Sequence, residues 1–560
     1  MIDADPELSD LQKMIDKLIL VLALLSIAAS VLNAAICIPT GRGVEPNSEE
    51  NQALTCVLNS VALTVAAVPE NLPVALVIAL ASIIKNLANI GVIVKSLPAG
   101  EELSRLNYVF SDKTGTLTEG VMTARATVVP DGHVSMSSDF EGPKESKELS
   151  SDEAVRLADQ IRLLAATAQD DLRANPTGDA CKKALPEDLA GTYERVLLEP
   201  ATSKTKMARA AMTIKDQKYL VKVGSDWVLD AASRQATAST DLTDFKNDTT
   251  IDFDKAACLD SINVWAKGGY RVICVVAKPV DNLPDEIEDG EVGDFGDGFT
   301  FLGCLVIQDP PREDVKDNIK IIRDAGVVVS MITGDNPITG LSIAQQVGLA
   351  GEMTEEERSM CLINAFELFH GMEEEDCKRE IITRLQYSMR NSTGLIIGRV
   401  SPFQKRLFVE CARAMGLVVA MTGDGANDAP ALKMANVGIA MGNGSDIAKA
   451  AGDMILVNPS FSGIVEAIRA GRLGFDNILK FLLFLLGTNI SEVVIYLTQT
   501  FADIVITLDA LNLLVLNLLT DGFPAIALSL ERAEGDLMKR SPLARNTSVL
   551  NSFTYMSITR

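Results

Sequence analysis

The sequence predicts a multi-domain α/β membrane protein, with a doubly wound parallel-sheet domain and four transmembrane helices. Three observations carry that expectation. Four apolar segments are long enough to be spans, a body of about 400 residues and mixed polarity lies between the second and third, and β-branched runs in that body end in Thr-Gly-Asp. Composition agrees: the 560 residues are 47% hydrophobic yet 22% charged, with a net charge of −24, so the apolar residues must be concentrated somewhere. The acidic balance excludes a protein built to grip nucleic acid. Two His and nine Cys without a CxxC pair exclude histidine-rich metal sites and a dense disulfide framework, and fit a body kept in a reducing compartment.

Leu18 to Ile38 is an uncharged run of 21 residues, enough to cross a hydrocarbon core as a helix. A second apolar segment runs from Ala53 to Ile84, broken only by Pro69-Glu70-Asn71-Leu72-Pro73. Two more cover roughly Leu482 to Thr500 and Leu511 to Leu530. If the four alternate in direction, Lys13, Lys17, Lys85, Lys95, Arg469, Arg472, Lys480, Lys539 and Arg540 share one side, while residues 39–52 carry only Arg42. The body is therefore expected on the cytosolic side of a multi-pass protein, in a membrane the sequence does not name.

Within the body, Gly326 to Ile332 and Gly416 to Met421 read as buried parallel strands alternating with helices, an arrangement that places ligands at strand carboxyl ends. Four motifs sit at such ends. Ser111-Asp-Lys-Thr-Gly-Thr-Leu-Thr118 offers Asp112 as a carboxylate nucleophile beside backbone N–H groups. Thr333-Gly-Asp335 offers a hydroxyl for a phosphoryl oxygen, Lys405 a charge to neutralise it, and Asp424 and Asp428 would hold Mg2+ together with Asp112. The set implies phosphoryl transfer.

These residues give the chain its resemblance to the P-type cation-transporting ATPases, whose phosphorylation motif Asp112 to Thr118 matches residue for residue. The resemblance implies a haloacid-dehalogenase-like phosphorylation domain with an inserted α+β nucleotide-binding domain, ATP and Mg2+ as cofactors, and Lys113, Thr114, Thr333, Gly334, Asp335, Lys405 and Asn427 beside Asp112 at the catalytic site, with Thr114 also near the Mg2+. Phosphatases of that superfamily carry an acid two residues after the nucleophile; Thr114 stands there, which favours a long-lived aspartyl phosphate. By the same resemblance Lys204, Lys206, Lys222, Arg271 and Arg399 fall where the family contacts ATP, although Ala201 replaces the adenine-stacking Phe. The expected domains are two spans in 1–86, phosphorylation in 87–118 and 306–470, nucleotide binding in 119–305, two spans in 471–535 and a tail in 536–560.

The cation is argued from acids inside the spans, which are costly there without a functional partner. Pro69 and Pro73 interrupt helical hydrogen bonding around Glu70, freeing carbonyls at Val65, Ala66 and Val68. Asn489 and Glu492 share a face of one later span, and Asn517, Thr520 and Asp521 share one of the next. Hard oxygen donors of this kind suit Ca2+ or an alkali cation. Asn489-Ile-Ser-Glu492 and Asn517-Leu-Leu-Thr-Asp-Gly522 resemble the sarco/endoplasmic reticulum calcium pumps, a P2-type group, and sodium/potassium pumps commonly carry Asp at the position of Asn517. The expected partners are a transported cation, Ca2+ first, and the lipid bilayer; a regulatory subunit stays open. No Thr-Gly-Glu-Ser is present, so the chain reads as the third to sixth family helices of a longer pump. The alternatives are a Na+/K+ or H+ pump, a membrane-anchored phosphatase, and a truncated regulatory relative.

Overall fold

A computed structural model describes residues 10–543, apart from 41, 43, 45–51, 67–71, 137–146, 150, 170–175, 190–191, 202–206, 215, 238–239, 242–249, 284–294 and 505–509. The apolar segments form helices. The first is α1 (Asp10–Thr40), and the second divides into α2 (Gln52–Ala66) and α3 (Leu72–Asn89) on either side of 67–71. Pro73 sits in the first turn of α3, where its missing N–H costs no helical bond. The third segment is the 40-residue helix α4 (Ser462–Phe501). The fourth comprises α5 (Ala510–Val515), a π-helical stretch Leu516–Asp521 and α6 (Gly522–Ser529). Among the described residues four helices are long and apolar enough to cross a membrane, as expected, with Ile19–Thr40, Leu72–Asn89, Ser462–Phe501 and Asn512–Ser529 as the qualifying stretches.

One feature of the outer hairpin was not foreseen. Cys37 near the end of α1 is disulfide-bonded to Cys56 in α2, while the seven other cysteines are free and buried in the body.

The body contains two sheets. The first has eight strands, with Tyr108–Asp112 at its centre between Val419–Gly423 and Val328–Ile332, all parallel. Every residue of these three strands is buried. That follows from their continuous apolar or small residues, the pattern of a sheet covered on both faces. One face packs on Val315, Ile319 and Ile322 and on the base of α4 through Ile464 and Ile468; the other packs on Ile381, Leu407 and Phe408. The second sheet has ten strands, mainly antiparallel, between Thr123 and Gln308. Helix Asp152–Thr167 covers one of its faces through Leu157, Ile161 and Leu164; Trp265 and Phe299 belong to the core on the other.

Helix α4 joins body to membrane. Its first turns bury Ile464 and Ile468 in the body's core, and further along Ile478, Phe481 and Leu482 pack with Leu72, Ala75 and Ala79 of α3. No break occurs at residue 470, where the sequence suggests a domain boundary. Arg472 is buried there and donates to three backbone carbonyls: Leu537 O at 2.8 Å, Arg540 O at 2.7 Å and Ala325 O at 2.8 Å.

Candidate active site

The three central parallel strands end side by side, so Asp112, Thr333 and Asp424 meet at one carboxyl edge of the sheet. The chain leaves the central strand through Lys113–Leu117, where Gly115 adopts φ +68. A β-carbon there would lie 2.9 Å from Asp424 Cγ and closer still to its Oδ2, so only glycine lets the nucleophile loop approach that carboxylate. Lys405 reaches the same place from helix Pro402–Ala414, whose start is fixed by Ser401 and Gln404 in a capping box. Its ammonium donates to Asp112 Oδ1 and to Asp428 Oδ1, each at 2.6 Å, and all three residues are buried.

Asp112, Asp424 and Asp428 bring carboxylate oxygens within 4.8 Å of one another. Burial pushes the Asp112 carboxyl up to about 7, opposed by the Lys405 ammonium and reinforced by Asp428. Burial and Asp428 also raise Asp424. Burial pulls Lys405 down, but Asp112 and Asp428 more than reverse that and keep it charged. Ionising all three carboxylates against one ammonium would leave two negative charges unbalanced in a buried site, which is why burial resists it. A divalent cation with oxygen preference closes that balance, so the residues fit Mg2+.

Other residues expected here divide into those the fold brings to the site and those it does not. Thr333 is buried, and its Oγ1 accepts from Asp335 N at 3.1 Å, leading into Gly334. Lys113 is ion-paired to Asp335 at 2.6 Å and lies 3.8 Å from Asp309. Asp309 in turn accepts from Thr118 Oγ1 at 2.5 Å and Gly120 N at 2.8 Å, and Arg312 donates to Gly115 O at 2.9 Å, so this acid and base brace the nucleophile loop. Thr114 and Asn427 are exposed at the mouth of the site. A cleft between the two sheets is lined by Lys113, Arg271, Gln308, Asp309, Asp335 and Asn336.

Of the expected ATP contacts, Arg271 lines that cleft and donates to Thr177 Oγ1 at 2.8 Å. Lys222 is buried instead, with its ammonium on Gly296 O at 3.0 Å and over the Phe299 ring at 4.7 Å. Arg399 contributes backbone, not side chain: its N–H donates to Asp335 O at 2.7 Å while its guanidinium points to Glu367 at 3.8 Å. Lys204 and Lys206 lie outside the described residues.

In the membrane region, Asn489, Asn517 and Asp521 are buried, and Asn517 lies against Glu492. With its amide oriented to satisfy both groups, its nitrogen donates to the two Glu492 oxygens at 2.9 and 3.2 Å. Asp521 is close enough to Glu492 for their charges to interact. Among the described residues, buried Asn489 Nδ2 and Asp521 Oδ2 have no hydrogen-bond partner. Thr520 departs from expectation: it is exposed, because residues 516–521 are π-helical and the wider turn leaves Asn517 and Asp521, but not Thr520, on the inner face. Val65 and Ala66 end α2, their side chains undescribed; Val68 and Glu70 lie outside the described residues.

Comparison with known proteins agrees with this geometry. The model of the haloacid dehalogenase-like hydrolases matches residues 106–436, and that of the cation transporting ATPase C-terminus matches 505–559. The sodium/potassium-transporting ATPase subunit alpha-4 of Homo sapiens is 31% identical over 528 residues, covering 87% of this chain and 50% of the relative. Calcium-transporting ATPase 1 of Bacillus cereus (strain ATCC 10987 / NRS 248) is 30% identical over 506 residues, covering 88% and 53%. The chain thus spans about half the length of these relatives. The crystal structure of a zinc-transporting PIB-type ATPase in its E2.Pi state shares the fold, with a TM-score of 0.59 at 18% identity, over 91% of this chain and 62% of that one. The site at the end of the central strand and the matched hydrolase segment, which covers more than half of the chain, together establish that this chain, similar over part of their length to cation-transporting ATPases, belongs to the haloacid dehalogenase-like hydrolases.

Proposed function

We propose that the chain accepts the terminal phosphoryl group of ATP on Asp112 and couples this to movement of a cation, Ca2+ first, across a bilayer. The observation that carries the reading is the buried Asp112 carboxylate, held by Lys405 beside Asp424 and Asp428 at the end of the central strand. An Asp112 oxygen attacks the terminal phosphorus; the new O–P bond forms as the bond to the ADP oxygen breaks, and ADP leaves with that electron pair. Lys405 neutralises charge on the incoming group, and Thr333 offers its hydroxyl. Bound Mg2+ supplies further charge neutralisation at Asp112, Asp424 and Asp428. Thr114 cannot act as acid or base toward water, so the aspartyl phosphate outlives the transfer.

The division into a phosphorylation domain (87–118 and 306–470) and a nucleotide-binding domain (119–305), on the cytosolic side, belongs to the same reading. Arg271, on the cleft beside Lys113, is the favoured ATP contact. For the cation, Glu70, Asn489, Glu492, Asn517 and Asp521 are the ligands of choice, with the carbonyls of Val65, Ala66 and Val68. Asn517, where sodium/potassium pumps commonly carry Asp, favours Ca2+ through its resemblance to the calcium pumps. The test is acid-stable, hydroxylamine-sensitive labelling from ATP across Ca2+, Na+, K+ and H+ titrations. Micromolar Ca2+ should control the label, and Asp112→Asn should remove it. Control by Na+ alone would overturn the choice of ion; labelling unchanged in Asp112→Asn would overturn the whole reading.

A further inference from the structure

Helices α1 and α2 are joined by a polar seam that runs toward the end of α2. On α1 the residues are Ser26, Ser30, Asn33 and Cys37, spaced by four, three and four, which is one helical stripe. On α2 they are Cys56, Ser60 and Thr64, again one stripe. Facing pairs close turn by turn. The Cys37–Cys56 disulfide is followed by Asn33 Nδ2 donating to Ser60 Oγ at 3.1 Å, the Ser30 and Thr64 hydroxyls at 2.6 Å, and Ser26 Oγ donating to Thr64 O at 3.2 Å. Thr500 of α4 adds a third strand to the seam, donating to Asn33 Oδ1 at 2.6 Å. Ser26, Ser30, Asn33, Ser60 and Thr500 are all buried in the helix bundle.

Interhelical hydrogen bonds and a covalent bridge at successive turns hold two helices in one register, adding direction to the van der Waals packing that associates helices in lipid. Helix α2 ends at Ala66, two residues beyond Thr64, and leads toward Glu70. We propose that Ser30, Asn33, Ser60 and Thr64, fastened by the Cys37–Cys56 bridge, are positioning residues that hold the end of α2 for cation binding. The proposal rests on the reading that residues 65–70 bind the transported cation. Both cysteines of the bridge are fully buried, so its share in the clamp is read by replacing them rather than by adding a reductant. By the distribution of Lys and Arg, that bridge faces the side opposite the body, where disulfides persist.

The experiment is Asp112 phosphorylation of the full chain in membranes, titrated with Ca2+ and in parallel with Na+, reading half-saturation and maximal label separately. Ser30→Ala, Asn33→Leu and Thr64→Val should each raise the half-saturating concentration about threefold, the effect of one interhelical hydrogen bond, with maximal label unchanged. Ser30→Thr should restore the wild-type value, and lipid-facing Ile27→Ala should leave it unmoved. The double variant Cys37→Ser/Cys56→Ser should raise half-saturation in the same way, again with maximal label unchanged. Unmoved half-saturation in all three seam variants, or loss of maximal label with no shift, overturns the clamp. Glu70→Gln separates the two claims. If it shifts half-saturation while the seam variants do not, the clamp alone fails; if it shifts nothing, the cation-site reading fails.

Discussion

Adding one methyl group at Gly115 should disable phosphorylation while leaving the fold intact. The residue sits at φ +68, where an L side chain costs about 1–2 kcal/mol. Its β-carbon would lie 2.9 Å from Asp424 Cγ and press harder on Oδ2. Ordinary contact is 3.4 Å or more, so the Asp424 carboxylate must retreat by on the order of 1 Å, a misplacement that costs about a hundredfold in rate. Gly115→Ala should therefore lower the initial rate of acid-stable labelling from ATP by about that factor and raise the Mg2+ concentration needed. Gly351→Ala, where a β-carbon meets nothing within 4 Å, is the control and should label normally. An unchanged rate and Mg2+ requirement in Gly115→Ala, with its unfolding temperature also unchanged, would refute the assignment of Asp424 to the metal.

Three further perturbations test the same site and its link to the membrane. Lys405→Met leaves Asp112 and Asp428 buried without their shared cation, so it should abolish labelling and cost about 3–5 kcal/mol of stability, seen as a lower unfolding temperature that Mg2+ partly restores. Saturating Mg2+ should raise the wild-type unfolding temperature, by the equivalent of about 2.7 kcal/mol at a hundred times its Kd, and Asp424→Asn should blunt the rise. Arg472→Ala strips a charged donor from the carbonyls of Ala325, Leu537 and Arg540, each bond worth about 1.5–3 kcal/mol. It should expose residues 530–543 to protease, and a cleavage pattern identical to wild type would count against that arrangement.

Three residues of the candidate site were legible in sequence because each ends or directly follows a buried strand, and strand ends converge by the geometry of a parallel sheet. Asp112, Thr333 and Asp424 needed only β-branched runs and the turn residues after them. Lys405 enters the sequence reading as a charge for the phosphoryl group, but a helix 293 residues away in sequence carries no local sign that it will reach Asp112. The contact between Gly115 and Asp424 and the pairing of Lys113 with Asp335 depend on side-chain approach between separate loops, which no spacing encodes. Thr520 misled because helical spacing was taken as 3.6 residues per turn, and the π-helical stretch widens it. The seam between α1 and α2 carried a signal that went unused: Ser26, Ser30, Asn33 and Cys37 recur on one face of an otherwise apolar helix. Lys222 shows the opposite failure, a base expected at a ligand whose charge is spent inside the fold on Gly296 and Phe299.

Helix α4 gives the molecule leverage. Forty residues at the α-helical rise make a rod of about 60 Å, with one end wedged in the body beside the phosphorylation sheet and the other reaching past Glu492. A tilt of about 3° at the base carries the far end through about 3 Å, more than the difference between a formed and a broken coordination bond. A small shift at Asp112 need not travel through a relay of side chains to reach the membrane groups. On the proposed reading, a cation that pinned the far end would by the same lever restrict the angles open to the base, so binding in the bilayer and binding at the carboxylate would bias each other reciprocally.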